Sequence, residues 1–579
     1  MGRYDVAVKA WVDAHKKETK HGYGMVPREL LLPYGAKDVD APRRIAMVQS
    51  PLLAEFCVER NGYPSLWQMD LTTQRLIYEM ELTGMCVDQA RLQTMIDGYG
   101  KCLQHYESLL KVMANVAGIP DFNHRSVPQV RTLLFEKLTK ADGSKIKPIK
   151  TTKNKPWDDA LRYTAKGTKA PPVASTDKVV LEILEEEHPA VKTLMYVRKL
   201  DTYRKTWLRE PGPDDDESTK GGGLKAKIWP DDRIHPHISQ LAETGRFRHS
   251  KPNSANWPKR AEGYIAKIFE GTDIEAPPEL RSIIIPAPGH VLMEGDFVQA
   301  ELFVLAALSG DATMWDTLTT PGKDMHDLTG ISSFGLIVNY QGSPIDEQYF
   351  LDLAASDKQQ YKACLNEFTY TTQKGETLTR AQFKSGLRVS AKNVNFGVPY
   401  GRGALDIARQ VKAETGSDAP LAELQAEIEQ VLEAWKTVTY PDAWRYMESC
   451  AASVSENGYL ATPWGRKRRF PEANDGRQLS AMERQAQNFP IQGTVADTCM
   501  IAMWLIDRYR TTHGLNFKII NQIHDAIMLE VPEAEIEATE TMFYEAMGQI
   551  DIPLKSGDNL RLNVDVDILS RWGEKLKAA

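Results

Sequence analysis

Two acidic residues stand where a carboxylate does little for folding. Asp525 lies in "INQIHDAIMLEV" (520–531), between two short apolar, β-branched runs. Runs of this length suit buried strands, and two of them joined by two residues suggest a hairpin. His524-Asp525 is not the Asn-Gly or Gly-X pair that such a turn usually takes. Either the pair is a plain solvated turn or the turn chemistry is compromised for another purpose. Asp296 lies in "HVLMEGDFVQAELFVLAALSG" (290–310), where a strand pattern changes to a helical one that Gly310 can cap. A lone Asp at a strand end more often caps the following helix. As a pair, carboxylates on adjacent strand tips can hold two hard cations about 3.5–4 Å apart across a transferring phosphoryl group.

Cationic and amide side chains recur at spacings that suit an anionic ligand. In "RVSAKNVNFGVPYG" (388–401), Arg388, Lys392 and Phe396 share one helix face. Like charges four residues apart cost a few tenths of a kcal/mol, which an anion opposite them offsets; an amphipathic helix with a basic rim is the alternative. The segment 244–260, "TGRFRHSKPNSANWPKR", carries Arg246, Arg248, Lys251, Lys259 and Arg260 among Asn, Ser and Pro, as a phosphate-tracking loop does. In "ERQAQNFPIQG" (483–493), Arg484, Asn488 and Gln492 form a line of donors suited to base edges in a shallow groove. "GYLATPWGRKRRFP" (458–471) has four consecutive basic residues, a donor segment or a solvated charge run.

The elements that must position these residues come from a chain too long for one core. At roughly 100–200 residues per domain, 579 residues suggest about three to five modules. Residues 66–115 and 176–208 read as amphipathic helices, with Ser175-Thr176-Asp177 as a helix start. The stretches 139–172 and 210–223 read as loops. From about 225 onward short strands alternate with helices. Hydrophobic residues make up 42% and charged residues 26%; no apolar stretch approaches the 18 or so residues of a spanning helix. The polar start lacks a signal peptide's apolar centre, so a soluble, cytoplasmic protein without a membrane is expected. Six cysteines without a CxxC pair argue against a zinc site or disulfide framework. A net charge of −7 means that nucleic acid would need a local basic surface.

In this order, the motifs closely resemble those of the family A (Pol I-type) DNA polymerases. The family's D-Y-S-Q-I-E-L-R is "DFVQAELF" from Asp296, its R-x-x-x-K-x-x-x-F/Y-G-x-x-Y-G is complete from Arg388 to Gly401, and its V-H-D-E is "IHDA" from Ile523. The segments 244–260, 483–493 and "GKDMHDLTG" (322–330) also match, and 122–138 and 175–184 resemble the family's thumb. The resemblance runs from about residue 66 to the end. It implies an α+β right-hand polymerase with an antiparallel palm sheet and mostly helical thumb and fingers. Residues 1–45 would be a remnant of an exonuclease-domain C-terminus or a linker. The lead-in to the palm and the thumb would take 46–230, a first palm segment 231–311, an α-helical fingers insertion 312–475, and the returning palm 476–579.

The implied activity is primer-dependent, template-directed DNA synthesis from dNTPs. Asp296 and Asp525 would bind two Mg²⁺ with the backbone carbonyl of Phe297, and Arg388 and Lys392 would meet the phosphates. Phe396 would pack on the incoming sugar, Tyr400 would sit by the templating pair, and Glu301 would be a steric gate against a 2′-hydroxyl. Gln299 and His524 would line the nucleotide and primer-terminus pockets. Arg246, Asn253, Asn256, Arg484, Asn488 and Gln492 would hold primer-template DNA. Ala526 replaces the family's usual acidic residue, which removes a third carboxylate and predicts weaker metal affinity. Val298, Ala300 and Phe303 replace the usual Ser, Ile and Arg.

"YGAKDVDA" (34–41) resembles the Tyr-x-x-x-Asp motif of a 3′–5′ proofreading exonuclease, but residues 1–33 hold no Asp-x-Glu to begin one. A plain helix start is the alternative for Tyr34 and Asp38. The expectation is a polypeptide that does not proofread alone, with any exonuclease a separate chain docking at the N-terminal segment. A viral or phage-like replicon in a bacterial or phage-infected host cytoplasm fits that pattern. Two rivals are a single-subunit RNA polymerase, which Glu301 with Tyr400 disfavours, and a non-catalytic DNA-binding subunit.

Overall fold

The computed structural model describes residues 6–15, 26–53, 57–153, 157, 172–210, 223–258, 263–415, 417 and 419–576. Lys259, Arg260, most of the 210–223 loop and much of the 139–172 loop lie outside the described residues.

Helix α1 (Leu66–Thr83) begins with a capping box: the Ser65 hydroxyl accepts from the Gln68 N–H, and the Gln68 side chain accepts from the Ser65 N–H. Asp88 caps α2 (Gln89–Val116) by accepting from the Arg91 N–H at 2.9 Å. This helix packs along α3 (Pro189–Tyr203) in a helical unit with its own apolar core. As expected from 175–177, a short helix starts at Lys178 with Asp177 as its cap. Next come strand β1 (His290–Phe297) and helices α4 (Ala300–Ser309), α5 (Met325–Phe334), α6 (Leu387–Gly397) and α7 (Gly476–His513). The chain closes with β2 (Lys518–Ile523), β3 (Ala526–Pro532), α8 (Ile536–Ala546), β4 (Val564–Arg571) and β5 (Glu574–Lys575).

The five strands form one antiparallel sheet in the order β2-β3-β1-β4-β5. Side chains alternate between its faces. Val291, Met293 and Phe297 of β1 join Ile527, Leu529 and Val531 of β3 in a core with α7 and α8. Leu292, Met528 and Leu569 enter the core shared with α2 and α3 on the other face. Further along that second face come Glu294 and then Asp296. Each fully buried apolar side chain contributes about 2 kcal/mol. A one-residue slip would exchange that set for two carboxylates, so the register is strongly held. Gly295 serves the same end, because a Cβ there would lie 2.4 Å from the Phe543 ring of α8.

Four sequence expectations are corrected here. The insertion 312–475 is not purely α-helical: Ile337–Tyr340, Ser343–Pro344, Thr369–Thr371 and Thr377–Thr379 form a small antiparallel sheet. Tyr340, Tyr370 and Leu378 of these strands pack with Phe350, Phe368 and Phe383 in a small core. Tyr34 and Asp38 mark no helix start; they lie inside a helix spanning Arg28–Leu53. Helix α7 is long and apolar enough to cross a membrane, yet 89% of its apolar window is buried inside the fold. Its buried Thr494 and Thr498 hydroxyls donate to the carbonyls of Pro490 and Thr494, four residues back. Finally, the basic run at 466–469 is not one exposed surface. Arg466 pairs with the fully buried Asp497 at 2.5 Å and with Asp70 at 3.0 Å, and Arg468 pairs with Glu243.

Candidate active site

The acidic end is built by strand register. His524-Asp525 form the two-residue tip between β2 and β3, with Ile523 opposite Ala526. Ala526 in turn lies opposite Asp296, and the Phe297 N–H donates to the Asp525 carbonyl at 3.3 Å. Two sequence-distant acidic residues thus come to the same end of the sheet, and both act electrostatically on the buried Cys499 thiol of α7, which burial pushes up. Asp296 is no helix cap: that position belongs to Gln299, in the left-handed region at φ +51°. His524 has φ +57°. Non-glycine residues with positive φ cost on the order of 1 kcal/mol or more, and here two of them flank the paired carboxylates.

The basic end is helix α6. Arg388 donates from Nε to Asp327 at 2.6 Å and from a terminal nitrogen to Asp324 at 2.7 Å. Lys392, one turn on, is half-exposed and 4.0 Å from Glu414. Phe396 follows on the same face, its ring 5.4 Å from that of His326. After α6 a 3₁₀ turn carries Tyr400, and Gly401 takes φ +64° against the Arg484 side chain. Glu301, in the first turn of α4, joins the two ends. Its carboxylate accepts from the Tyr400 hydroxyl at 2.8 Å and pairs with Arg246. Burial and the Glu301 charge raise the Tyr400 phenol well above its ordinary range, so it stays a donor.

The remaining donors divide by burial. Arg484 is exposed, Asn488 half-buried and Gln492 buried along α7, so the line runs from solvent into the core. Asn253 immediately precedes a 3₁₀ turn ending at Asn256, after the hairpin His237–Ser239/Arg248–Ser250, and its side chain makes no capping hydrogen bond. Arg246, His249, Gln522 and His524 line one small cavity.

Comparison with known proteins then decides the family. The sequence pattern of DNA polymerase family A matches residues 90–341 and 358–574. The chain belongs to DNA polymerase family A. It is 27% identical over 538 residues to DNA polymerase I of Lactococcus lactis subsp. cremoris, covering 92% of this chain and 49% of that protein. It is 26% identical over 556 residues to the thermostable DNA polymerase I of Thermus aquaticus, covering 94% and 53%. The chain spans about half the length of the curated relatives it matches. In fold it is similar to the POL domain of Pol1 from M. smegmatis, solved in complex with DNA primer-template and dNTP: TM-score 0.60, 24% identity, 88% of this chain and 71% of that one.

Within this family fold, the donor chemistry suits a divalent cation. Among the described residues, no three His, Cys, Asp or Glu side chains converge as a complete metal cage. Two carboxylates at one sheet end offer only oxygen donors, which match a hard cation that keeps several of its waters. Asp565 of β4 lies on the other side of Asp296 and is exposed, so Ala526 is not the sheet's only place for an additional carboxylate.

One residue that sequence reasoning did not single out, although "GKDMHDLTG" contains it, is His326. The Trp435 indole donates to Asn395 Oδ1 at 2.9 Å, which turns Asn395 Nδ2 toward His326 Nδ1 at 3.0 Å. An indole N–H can only donate; His326 Nδ1 must therefore accept, leaving the proton on Nε2. Burial pushes its pKa down to about 4; the Asp324 charge opposes this, and Arg388 and Lys392 add to it. A neutral N–H donor beside Phe396 is the result.

Proposed function

We propose that this chain catalyses template-directed, primer-dependent DNA synthesis from dNTPs, releasing pyrophosphate. The observation that carries the proposal is the meeting of Asp296 and Asp525 at one sheet end, joined through Glu301 and Tyr400 to a helix bearing Arg388 and Lys392. Asp296 and Asp525, with the Phe297 carbonyl, would hold two Mg²⁺. When bound, these ions lower the pKa of the primer 3′-hydroxyl and neutralise charge on the phosphates.

Every other contribution comes from side chains. Arg388 and Lys392 present positive charge where it builds up on the phosphates during transfer. Phe396 packs on the incoming sugar, and His326 adds a neutral donor beside it. Glu301 stands against the sugar's 2′ position, held there by Arg246 and Tyr400, and so favours deoxynucleotides. Gln299 and His524 border the nucleotide and primer terminus. Arg246, Asn253, Asn256, Arg484, Asn488 and Gln492 hold the primer-template without reading its sequence.

In this reading the palm is the five-stranded sheet with α4, α7 and α8; the thumb is the unit around α2 and α3; and the fingers run through α5 and α6. We also propose that these 579 residues do not proofread alone, that an exonuclease docks at the helix Arg28–Leu53, and that the protein works in a bacterial or phage-infected cytoplasm. Docking is placed there because Tyr34 and Asp38 lie about one turn apart on that helix.

Primer extension tests the whole reading. Extension with dNTPs and Mg²⁺, little incorporation of NTPs, and an undegraded mismatched primer are expected. Preference for NTPs would make the protein an RNA polymerase, DNA binding without extension a structural subunit, and removal of a mismatched terminus would refute the absence of proofreading.

A further inference from the structure

Arg388 is held by two carboxylates of unequal standing. Asp327 takes the Nε edge with one oxygen and Arg380 with the other, both at 2.6 Å. Arg380 is only 6% exposed; it donates to the Tyr370 hydroxyl and lies 5.7 Å from the centre of the Phe383 ring. Asp327 is therefore anchored to the fingers core, and its side chain is 14% exposed. Asp324 is 39% exposed. Its Oδ1 caps α5, accepting from the N–H groups of His326 and Asp327 at 2.8 and 2.9 Å. Only Oδ2 reaches Arg388, at a terminal nitrogen, 2.7 Å away.

A guanidinium offers separate edges, and a phosphate oxygen takes a terminal edge as readily as a carboxylate does. We propose that Asp324 competes with the substrate's triphosphate for the terminal edge of Arg388, whereas Asp327 is the positioning residue that keeps Arg388 aimed throughout. This inference rests on the reading that Arg388 meets the triphosphate. The exchange is physically reasonable because the two pairs differ in burial. An ion pair with one half-exposed partner is weaker and more easily replaced; a buried carboxylate between two arginines is costly to remove, since both charges lose their partner. A triphosphate carries more charge than the single carboxylate it displaces. Asp324 keeps its capping role when it lets go, so α5 need not move. The carboxylate then sets a threshold: weakly bound anions do not displace it, and a nucleotide aligned by the template does.

The test compares D324N, D327N, D327E and R388A with the unaltered chain, measuring dNTP KM and inhibition by inorganic pyrophosphate. Asn caps a helix as well as Asp, so D324N retains α5. For D324N, KM is expected to fall about threefold to fivefold, with pyrophosphate inhibiting correspondingly more strongly, as removal of a competing state requires. For D327N, KM is expected to rise at least about tenfold, with partial rescue in D327E. The D324N gain is expected to vanish in the R388A background. If R388A leaves dNTP KM unchanged, the assignment of Arg388 to the triphosphate fails. If R388A raises KM but D324N raises it too, or D324N still lowers it in the R388A background, only the competition fails. If D327N does not fold, D327E at the unaltered KM would overturn the positioning role.

Discussion

The two ends of the candidate active site are held by different forces. At the acidic end, strand register and a backbone hydrogen bond bring Asp296 and Asp525 together, with apolar cores on both faces of the sheet behind them. At the basic end, side chains hold side chains: Arg388 lies between Asp324 and Asp327, and Lys392 faces Glu414. Backbone register cannot be traded for a ligand, whereas an ion pair with one half-exposed partner can. The contrast suits the phosphoryl transfer proposed for this chain, in which Asp296 and Asp525 would be preorganised metal ligands and Arg388 would exchange one anion for another.

The comparison is broken most directly at the acidic end. D296N or D525N should lower the extension rate by at least about 10³-fold, with DNA affinity retained; a gel-shift titration beside the extension assay checks both. A variant that keeps a tenth of the rate would show that the register-held pair is not the reaction's anchor.

At the basic end the sharper probe is pH. His326 has a folded pKa of about 4, below the ordinary 6.5, so folding favours its neutral form. Its contribution to stability is fully present above pH 6.5 and is lost as pH falls toward 4, by about 3 kcal/mol in total. Urea unfolding of the unaltered chain and H326Q across that range should show a shallower loss in H326Q. Equal slopes would mean that His326 is not held neutral.

The tie between the ends is tested by E301A, which removes the carboxylate that Tyr400 and Arg246 share. Discrimination of dNTPs over NTPs should fall about 10-fold to 100-fold, read as a ratio of kcat/KM values. The smallest effect is expected at Ala526, whose row already contains Asp296 and Asp565. A526E should lower the Mg²⁺ concentration for half-maximal rate by only a few-fold, and an unchanged titration would remove Ala526 from the account of metal affinity.

Much of this site could be read from short segments, because local physics decides them. The β-branched runs around His524-Asp525 do form a hairpin, the Arg388–Phe396 spacing does form one helix face, and Gly310 and Asp177 do cap helices. Other features could not be read this way. Arg466 resembles any surface arginine until folding brings Asp70 and Asp497 to it from 396 and 31 residues away. His326 becomes a neutral donor only because Trp435 orients Asn395.

The local pieces are written in short stretches of chain: which residues alternate, which cap, which share a helix face, and the ordered motifs that carry the family. Tertiary structure alone decided the pairings: Asp296 with Asp525, Glu301 with Tyr400, and Arg388 with its two carboxylates. Periodicity and capping depend on neighbours a few residues apart, so a single stretch contains them. A charge's partner depends on which distant strand or helix the packing of the cores sets beside it.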